Sequence, residues 1–259
     1  MNLPSRKMLK MLLLILLFPS FPIYVEECKT RFDGVLGTAT NIISNLTGHA
    51  ALFIPYNPII VEVGGYKGGN TIRLSRDYPQ GRVIVFEPNP KVFDQLLSAT
   101  KECKNVSAYN MALATYDGLT TLNLNHGIYC DDENLEGLSS VLQEDPSYPY
   151  FRGPQIVVPC VVFDDWCKQN GVDRVHFMQL DCEGFELQIL KSSPEILKTV
   201  LVICTKTNFF PFREETTLYP ELEAYLESCG FVMMAHWYRE GLQGEATFVR
   251  KYMYDSIFK

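Results

Sequence analysis

The sequence is poor in most of the features that name a function outright. Its 259 residues hold four histidines and two tryptophans, and its eight cysteines (Cys28, Cys103, Cys130, Cys160, Cys167, Cys182, Cys204, Cys229) include no CxxC or metal-finger spacing. A zinc module or a thioredoxin-type redox pair is therefore not encoded. No lysine- or arginine-rich run interrupts the body of the chain, where 23 basic residues against 30 acidic ones give a formal net charge of −7. A surface of that sign has nothing with which to track a phosphate backbone, so nucleic acid is not an expected partner. A strict G-x-G-x-x-G is missing, as is any obvious Tyr-x-x-x-Lys hydride-transfer pair on a helix, and both absences count against an NAD-dependent oxidoreductase. Internal repeats and low-complexity tracts are lacking as well.

Hydrophobic runs long enough to span a bilayer are also missing. Arg6, Lys7 and Lys10 precede a nearly pure apolar run over residues 11–18, which Pro19, Pro22 and Glu26-Glu27 follow. That falls well short of the roughly 20 residues a spanning helix needs. Residues 1–25 read as a signal peptide or an interfacial membrane anchor, with a hydrophobic helix packed on the domain as the alternative; no clear small-x-small cleavage site follows. The expected location is membrane-associated or secretory, with a cytoplasmic one as the alternative, and an anchor with its domain facing the cytosol satisfies both. Residues 26–58 are expected to form an N-terminal helical extension. Cys160, Cys182 and Cys204 sit in or beside apolar strand-like runs, where a reduced thiol packs as a small hydrophobe.

What the chain does have is rhythm. With 47% hydrophobic and 20% charged residues it has the balance of one globular domain with additions. From Ile59 onward, short β-branched runs alternate with amphipathic stretches, which predicts a mainly parallel, doubly wound α/β domain over 59–250. Strands are expected at 59–63, 83–86, 106–110, 175–180 and 200–204, and helices at 70–78, 91–103, 183–191 and 221–229, with Pro90 at a helix start and Gly230 past a helix end. Residues 231–236 and 246–250 read as a closing antiparallel hairpin. Residues 126–154, rich in Gly, Asp, Pro, Ser and Tyr, read as a loop insertion suited to acceptor recognition.

Three stretches carry chemistry. Val61-Glu62-Val63-Gly64-Gly65-Tyr66-Lys67-Gly68-Gly69-Asn70-Thr71 is an apolar strand ending in a carboxylate and a glycine-rich turn, placed where ligands bind in an open α/β sheet. In Arg82-Val83-Ile84-Val85-Phe86-Glu87-Pro88-Asn89-Pro90 the second strand ends in Glu87, whose carboxylate can accept two hydrogen bonds from ribose hydroxyls. Asn110-Met111-Ala112-Leu113 then follows the third strand, near where an adenine would lie.

Together with Leu180-Asp181-Cys182-Glu183-Gly184-Phe185-Glu186, these stretches resemble, in order, the successive blocks of the FkbM methyltransferase family, from about Ile59 to Val249. The (I/L)-D-x-E-G-x-E block is that family's most distinctive element. The resemblance implies a Rossmann-like class I methyltransferase fold closed by a reversed strand. It also implies S-adenosylmethionine as methyl donor and transfer to a hydroxyl oxygen of a sugar, lipid or small metabolite. Carried onto this sequence, it places Glu62, Gly64, Gly65, Gly68, Glu87, Asn89, Ala112 and Asp181 at the cofactor. Asp181 and His236 are the candidates for proton removal from the acceptor. Glu183 reads as a helix N-terminal acid or a site residue, and Glu186 as pointing to solvent or to a neighbouring helix cap. His176 reads as a packed core residue, and His126 in the loop is open either way. Asp181 with Asn208 offers too few oxygens for a metal site, so none is expected.

Two positions depart from the pattern. Relatives often carry a lysine where Gln179 stands, and an acid near the end of the fifth strand where this chain has Lys206. That motivates a second reading, a catalytically lapsed S-adenosylmethionine-binding scaffold, beside the disfavoured NAD-dependent oxidoreductase. The expected partner is a small-molecule or glycan acceptor, with membrane association through residues 1–25 and an oligomeric state left open.

Overall fold

The central strands are apolar on both faces, and that dictates helices on both sides. The computed structural model describes residues 51–125, 137–145, 153–239 and 243–258. In chain order its first half runs β1 (Ile59–Val63), α1 (Gly69–Asp77), β2 (Arg82–Phe86), α2 (Pro90–Thr100), β3 (Val106–Tyr109), β4 (Ala112–Leu113) and β5 (Gly118–Asn123). Then follow β6 (Gln155–Val161), α3 (Phe163–Gln169), β7 (Phe177–Leu180), α4 (Glu186–Ser192), α5 (Pro194–Leu197) and β8 (Val202–Asn208). The chain continues through α6 (Tyr219–Ser228), β9 (Phe231–Arg239), β10 (Gln243–Arg250) and α7 (Lys251–Phe258).

Side chains alternate across a strand. Val61 and Val63 therefore face one core with Ile84, Phe86, Met178, Leu180 and Ile203, under α3, α4, α5 and α6. Ile60 faces the other, with Val83, Phe177, Val202 and Cys204, under Leu74 of α1 and the apolar side of α7. An aromatic cluster anchors the first layer: Trp166 of α3 meets Phe86 edge-on at 5.0 Å and Tyr109 at 4.9 Å between ring centroids. Truncating a buried ring of this kind costs about 3–5 kcal/mol.

The main sheet runs β3-β2-β1-β7-β8-β10-β9. Neighbours from β3 to β8 are parallel, and β10 runs antiparallel to both β8 and β9. This is the doubly wound, class I methyltransferase arrangement with one reversed strand. The chain leaves β1 towards β2 and later returns on the opposite flank at β7, so the carboxyl ends of β1 and β7 bound the crevice where such sheets bind ligands. A second, three-stranded sheet, β4-β6-β5, flanks that crevice.

Differences from the expected elements have local causes. The strand expected at 200–204 extends to Asn208 because β10 pairs along it as far as Asn208 opposite Gln243. The helix expected from 183 begins at Glu186, since Glu183 and Gly184 adopt φ of +51° and +105°. His176 lies just before β7, where its Nδ1 accepts the Ile59 N–H at 2.8 Å. α3, α5, α7 and the β4-β6-β5 sheet were not anticipated. Cys103, Cys160, Cys167, Cys182, Cys204 and Cys229 are free thiols. Residues 1–25, most of the 26–58 extension, the greater part of the 126–154 insertion, His126, Cys28 and Cys130 lie outside the described residues.

Candidate active site

The turn after β1 brings two strand ends into contact. Gly64 has φ +88°, and a Cβ on it would lie 2.2 Å from the Asp181 carbonyl oxygen, so only glycine lets β1 and β7 meet there. Gly64 and Gly65 both donate their N–H to the Phe86 carbonyl at 3.0 Å, which fixes the turn over the end of β2.

Two buried carboxylates stand at this edge. Glu62, 2% exposed, accepts from Asn70 Nδ2 at 2.7 Å and Thr71 Oγ1 at 2.6 Å, both at the start of α1. Glu87, 7% exposed, accepts the Tyr66 N–H through Oε2 and the Asn89 N–H through Oε1, each at 2.9 Å. Burial pushes both up to about 7, their hydrogen bonds opposing the rise. Asn110 braces the Glu87-Pro88 backbone by donating to both carbonyls.

The Asp181–Glu186 block folds as a turn braced from its own end. Glu186 is buried and turns back to accept the Cys182 N–H at 2.8 Å and the Gly184 N–H at 3.1 Å, holding the turn that precedes its helix. Burial raises it to about 7. Neither expected placement is found: the side chain faces neither solvent nor a neighbouring helix cap, because it is drawn in by the amides of the turn before its own helix. At Gly184 a Cβ would press 3.1 Å from both Leu142 Cδ1 and Thr216 Cγ2, where φ already demands glycine. Glu183 is buried against the Lys206 ammonium, which also pairs with Asp181 Oδ1 at 2.5 Å. Burial opposes the charge on Lys206, but the two carboxylates outweigh it and hold the ammonium above its ordinary range.

Two cavities open at this edge. The larger, about 300 Å³, has Glu87, Met111, Ala112, Asp181 and Lys206 on its walls. The smaller, about 200 Å³, is faced by Glu62, Gly65, Asn70 and Gln179. Gly64, Tyr66 and Asp181 line both and mark their junction. Of the residues expected at the site, the structure thus gathers Glu62, Gly64, Gly65, Glu87, Ala112 and Asp181. Gly68 and Asn89 line neither cavity; Gly68 starts α1, and Asn89 caps α2 by accepting the Lys91 N–H at 3.1 Å. His236 lies on β9, its Nε2 2.9 Å from Thr207 Oγ1 and its ring 4.3 Å from that of Tyr219, and it too lines neither cavity.

The model of the methyltransferase FkbM domain matches residues 62–233. The chain belongs to the FkbM methyltransferase family. Among similar proteins is methyltransferase sdnD of Sordaria araneosa, 27% identical over 209 residues, covering 69% of this chain and 75% of that protein. Another is 2-O-methyltransferase NoeI of Sinorhizobium fredii, 23% identical over 160 residues, covering 59% of this chain and 61% of NoeI. A fibrillarin pre-rRNA processing protein of Methanococcus jannaschii superposes with a TM-score of 0.48 at 12% identity, covering 77% of this chain and 69% of that one.

As an FkbM methyltransferase the chain depends on S-adenosylmethionine, and its site fits that molecule. Each Glu87 oxygen accepts one backbone N–H and keeps lone pairs for a pair of hydroxyls. Met111, Leu113 and Phe185 give the larger cavity an apolar wall for a flat ring, while Glu62, Asn70 and Gln179 bring polar side chains to the smaller one. Tyr66 and Lys206 are site members that sequence reasoning missed, whereas residues 137–141 belong to the insertion expected to serve acceptor recognition. Lys206 was visible only as a departure from the family, because the β7–β8 pairing that brings it to Asp181 is not encoded locally.

Proposed function

We propose that this methyltransferase transfers its methyl group to a hydroxyl oxygen of a sugar, lipid or other small metabolite. The observation that carries the reading is Asp181. It stands at the junction of the two cavities with its side chain half exposed and Oδ1 held by Lys206, while among the described residues no hydrogen bond reaches Oδ2. NoeI, named a 2-O-methyltransferase, supports oxygen as the accepting atom.

S-adenosylmethionine supplies a methyl carbon already activated by its sulfonium. The protein must add alignment and a destination for the acceptor's proton. Glu87 would hold the ribose hydroxyls, the Met111 side of the cleft the adenine, and the cavity beside Glu62 and Asn70 the amino-acid end. Asp181 Oδ2 would accept the hydroxyl proton as the oxygen–carbon bond forms. Lys206 keeps its own proton and acts as the donor that fixes Asp181. Lys206 gives the site an ammonium beside Asp181, which favours a working site over a lapsed scaffold.

Calorimetric titration with S-adenosylhomocysteine, with NAD as control and Glu87→Ala as the site test, checks the cofactor reading. Saturable binding of the former alone, weakened in the variant, is expected; a folded protein that binds neither would overturn it. Transfer of labelled methyl to hydroxyl acceptors should give alkali-stable ethers, and alkali-labile esters would move the acceptor to a carboxylate.

A further inference from the structure

Residues 137–145 form a strap with little secondary structure of its own, and Gly137, Leu138, Ser139, Ser140 and Val141 form part of the wall of the larger cavity. Such a segment keeps a defined position only if it is tied down from outside. One tie is Asn123, whose Nδ2 donates to the Ser140 and Leu142 carbonyls at 3.3 and 2.9 Å. The other comes from the loop between β8 and α6, where Glu214 N–H donates to the Gln143 carbonyl at 3.0 Å and Arg213 pairs across to Glu144 in an isolated bridge.

Arg213 is the unusual member. A guanidinium on a loop ordinarily reaches solvent, yet this side chain is 2% exposed and donates through Nη2 to the Leu138 carbonyl. Burying it is costly: burial pushes the guanidinium below its ordinary range, and the Glu183 and Glu144 carboxylates oppose that fall without cancelling it. Glu183 in turn pairs with Lys206, and Lys206 with Asp181, so alternating charges run from the strap to the junction of the two cavities. Ser140 fastens the strap to the same block, its hydroxyl donating to the Glu183 carbonyl at 3.3 Å.

We infer that Arg213 is a positioning residue for cofactor binding: it seats the 137–141 strap as a wall of the cleft and joins that wall to the Glu183–Lys206–Asp181 row. The inference rests on the S-adenosylmethionine reading of the cleft. Cofactor affinity and the order of the strap are then one equilibrium, since ligand contacts on the wall favour the seated strap.

The test uses the full chain, S-adenosylhomocysteine as probe, calorimetry for affinity and hydrogen exchange for local order. In the wild type the probe should slow exchange across 137–145. Arg213→Lys keeps the charge facing Glu183 but loses the planar fork. It should unfold near the wild-type temperature, exchange faster in 137–145 while 59–63 stays protected, and bind the probe about tenfold more weakly, the effect of losing one charge-assisted hydrogen bond. Asn123→Ala removes the two side-chain bonds of the independent tie, leaving the Asn123–Ser140 backbone pair in place, and should lower affinity in the same direction by a smaller factor. Wild-type affinity in both folded variants, or strap exchange that neither probe nor substitution alters, would overturn the inference alone. A wild type that binds no S-adenosylhomocysteine would overturn the cofactor reading and this inference with it.

Discussion

The carboxylates at the two sides of the cleft are satisfied in opposite ways. Glu62 and Glu87, at the ends of β1 and β2, are buried among uncharged donors, Asn70, Thr71 and the Tyr66 and Asn89 amides. Asp181 and Glu183, after β7, are matched by a cation of the protein's own, Lys206. A carboxylate matched internally has its charge supported by the protein itself, whereas one buried among neutral dipoles is pushed towards its neutral form and leaves its charge, with spare lone pairs, to be drawn out by a cationic ligand. On the proposed reading, the first side would recognise the cationic cofactor and the second would orient the acceptor.

The comparison breaks most sharply at Glu87. Glu87→Ala removes the oxygens proposed to hold the ribose and leaves the Tyr66 and Asn89 amides without their acceptor. Two hydrogen bonds to a charged group lost together should weaken S-adenosylhomocysteine binding by about a hundredfold or more in calorimetry. On the other side, Lys206→Met strands Glu183 in a buried position beside Asp181. Removing one partner of a buried pair costs about 3–5 kcal/mol, and the lower figure is expected because the Asp181 side chain is 51% exposed. Denaturant unfolding should show the loss, and Glu183→Gln added to Lys206→Met should recover about half of it by discharging the stranded carboxylate.

The two sides should also part in their response to pH. Glu62 and Glu87 rise from 4.5 to about 7 in the fold, so the folded state holds protons that the unfolded chain has released. Their contribution is fully present below pH 4.5 and is lost as pH rises through about 7, by up to about 3 kcal/mol for each group. Unfolding free energies measured between pH 4.5 and 7.5 should therefore fall less in Glu62→Gln than in the wild type. Affinity for cationic S-adenosylmethionine should rise over the same window, because the ionised carboxylates are what attract it; a flat profile in both measurements would remove the distinction.

What could be read from the sequence follows the range of the interactions. The β1 turn, the Glu87 strand end and the Asn89-Pro90 helix start are local signals, with glycines, a cap and a proline written in consecutive residues, and the structure shows elements within a few residues of those expected there. The extension of β8 to Asn208 depends on a hairpin some 40 residues later, and α3 is held by Trp166 packing on Phe86 and Tyr109 across the chain. The site divides likewise: Glu62, Gly64 and Glu87 sit in local motifs, whereas Lys206 and Arg213 matter only because distant segments pair. His236, expected at a strand end, lies inside β9 at the far edge of the sheet from β1 and β7, and its ring reaches past β10 to Thr207 and packs on Tyr219 instead of lining either cavity.

The mildest change sharpens the comparison by converting one side into the other. Gln179 lies within the neutral network, its Oε1 accepting from the Asn70 Nδ2 that also serves Glu62, and its Nε2 donating to Glu245 Oε1 at 3.4 Å. Glu245 is itself raised, chiefly by burial, with Asp181 adding to the rise. A lysine at 179 would sit among Glu62, Glu245 and Asp181, and the gain from pairing would be offset by desolvating the new ammonium and losing the Asn70 hydrogen bond. The net change in stability for Gln179→Lys should stay within about 1 kcal/mol. Its pH dependence should change more, because a nearby cation favours the ionised form of Glu62 and shrinks the loss of stability between pH 4.5 and 7. If that loss matches the wild type in parallel denaturation curves, residue 179 does not govern the charge of the cofactor side, and the division rests on Glu62 and Glu87 alone.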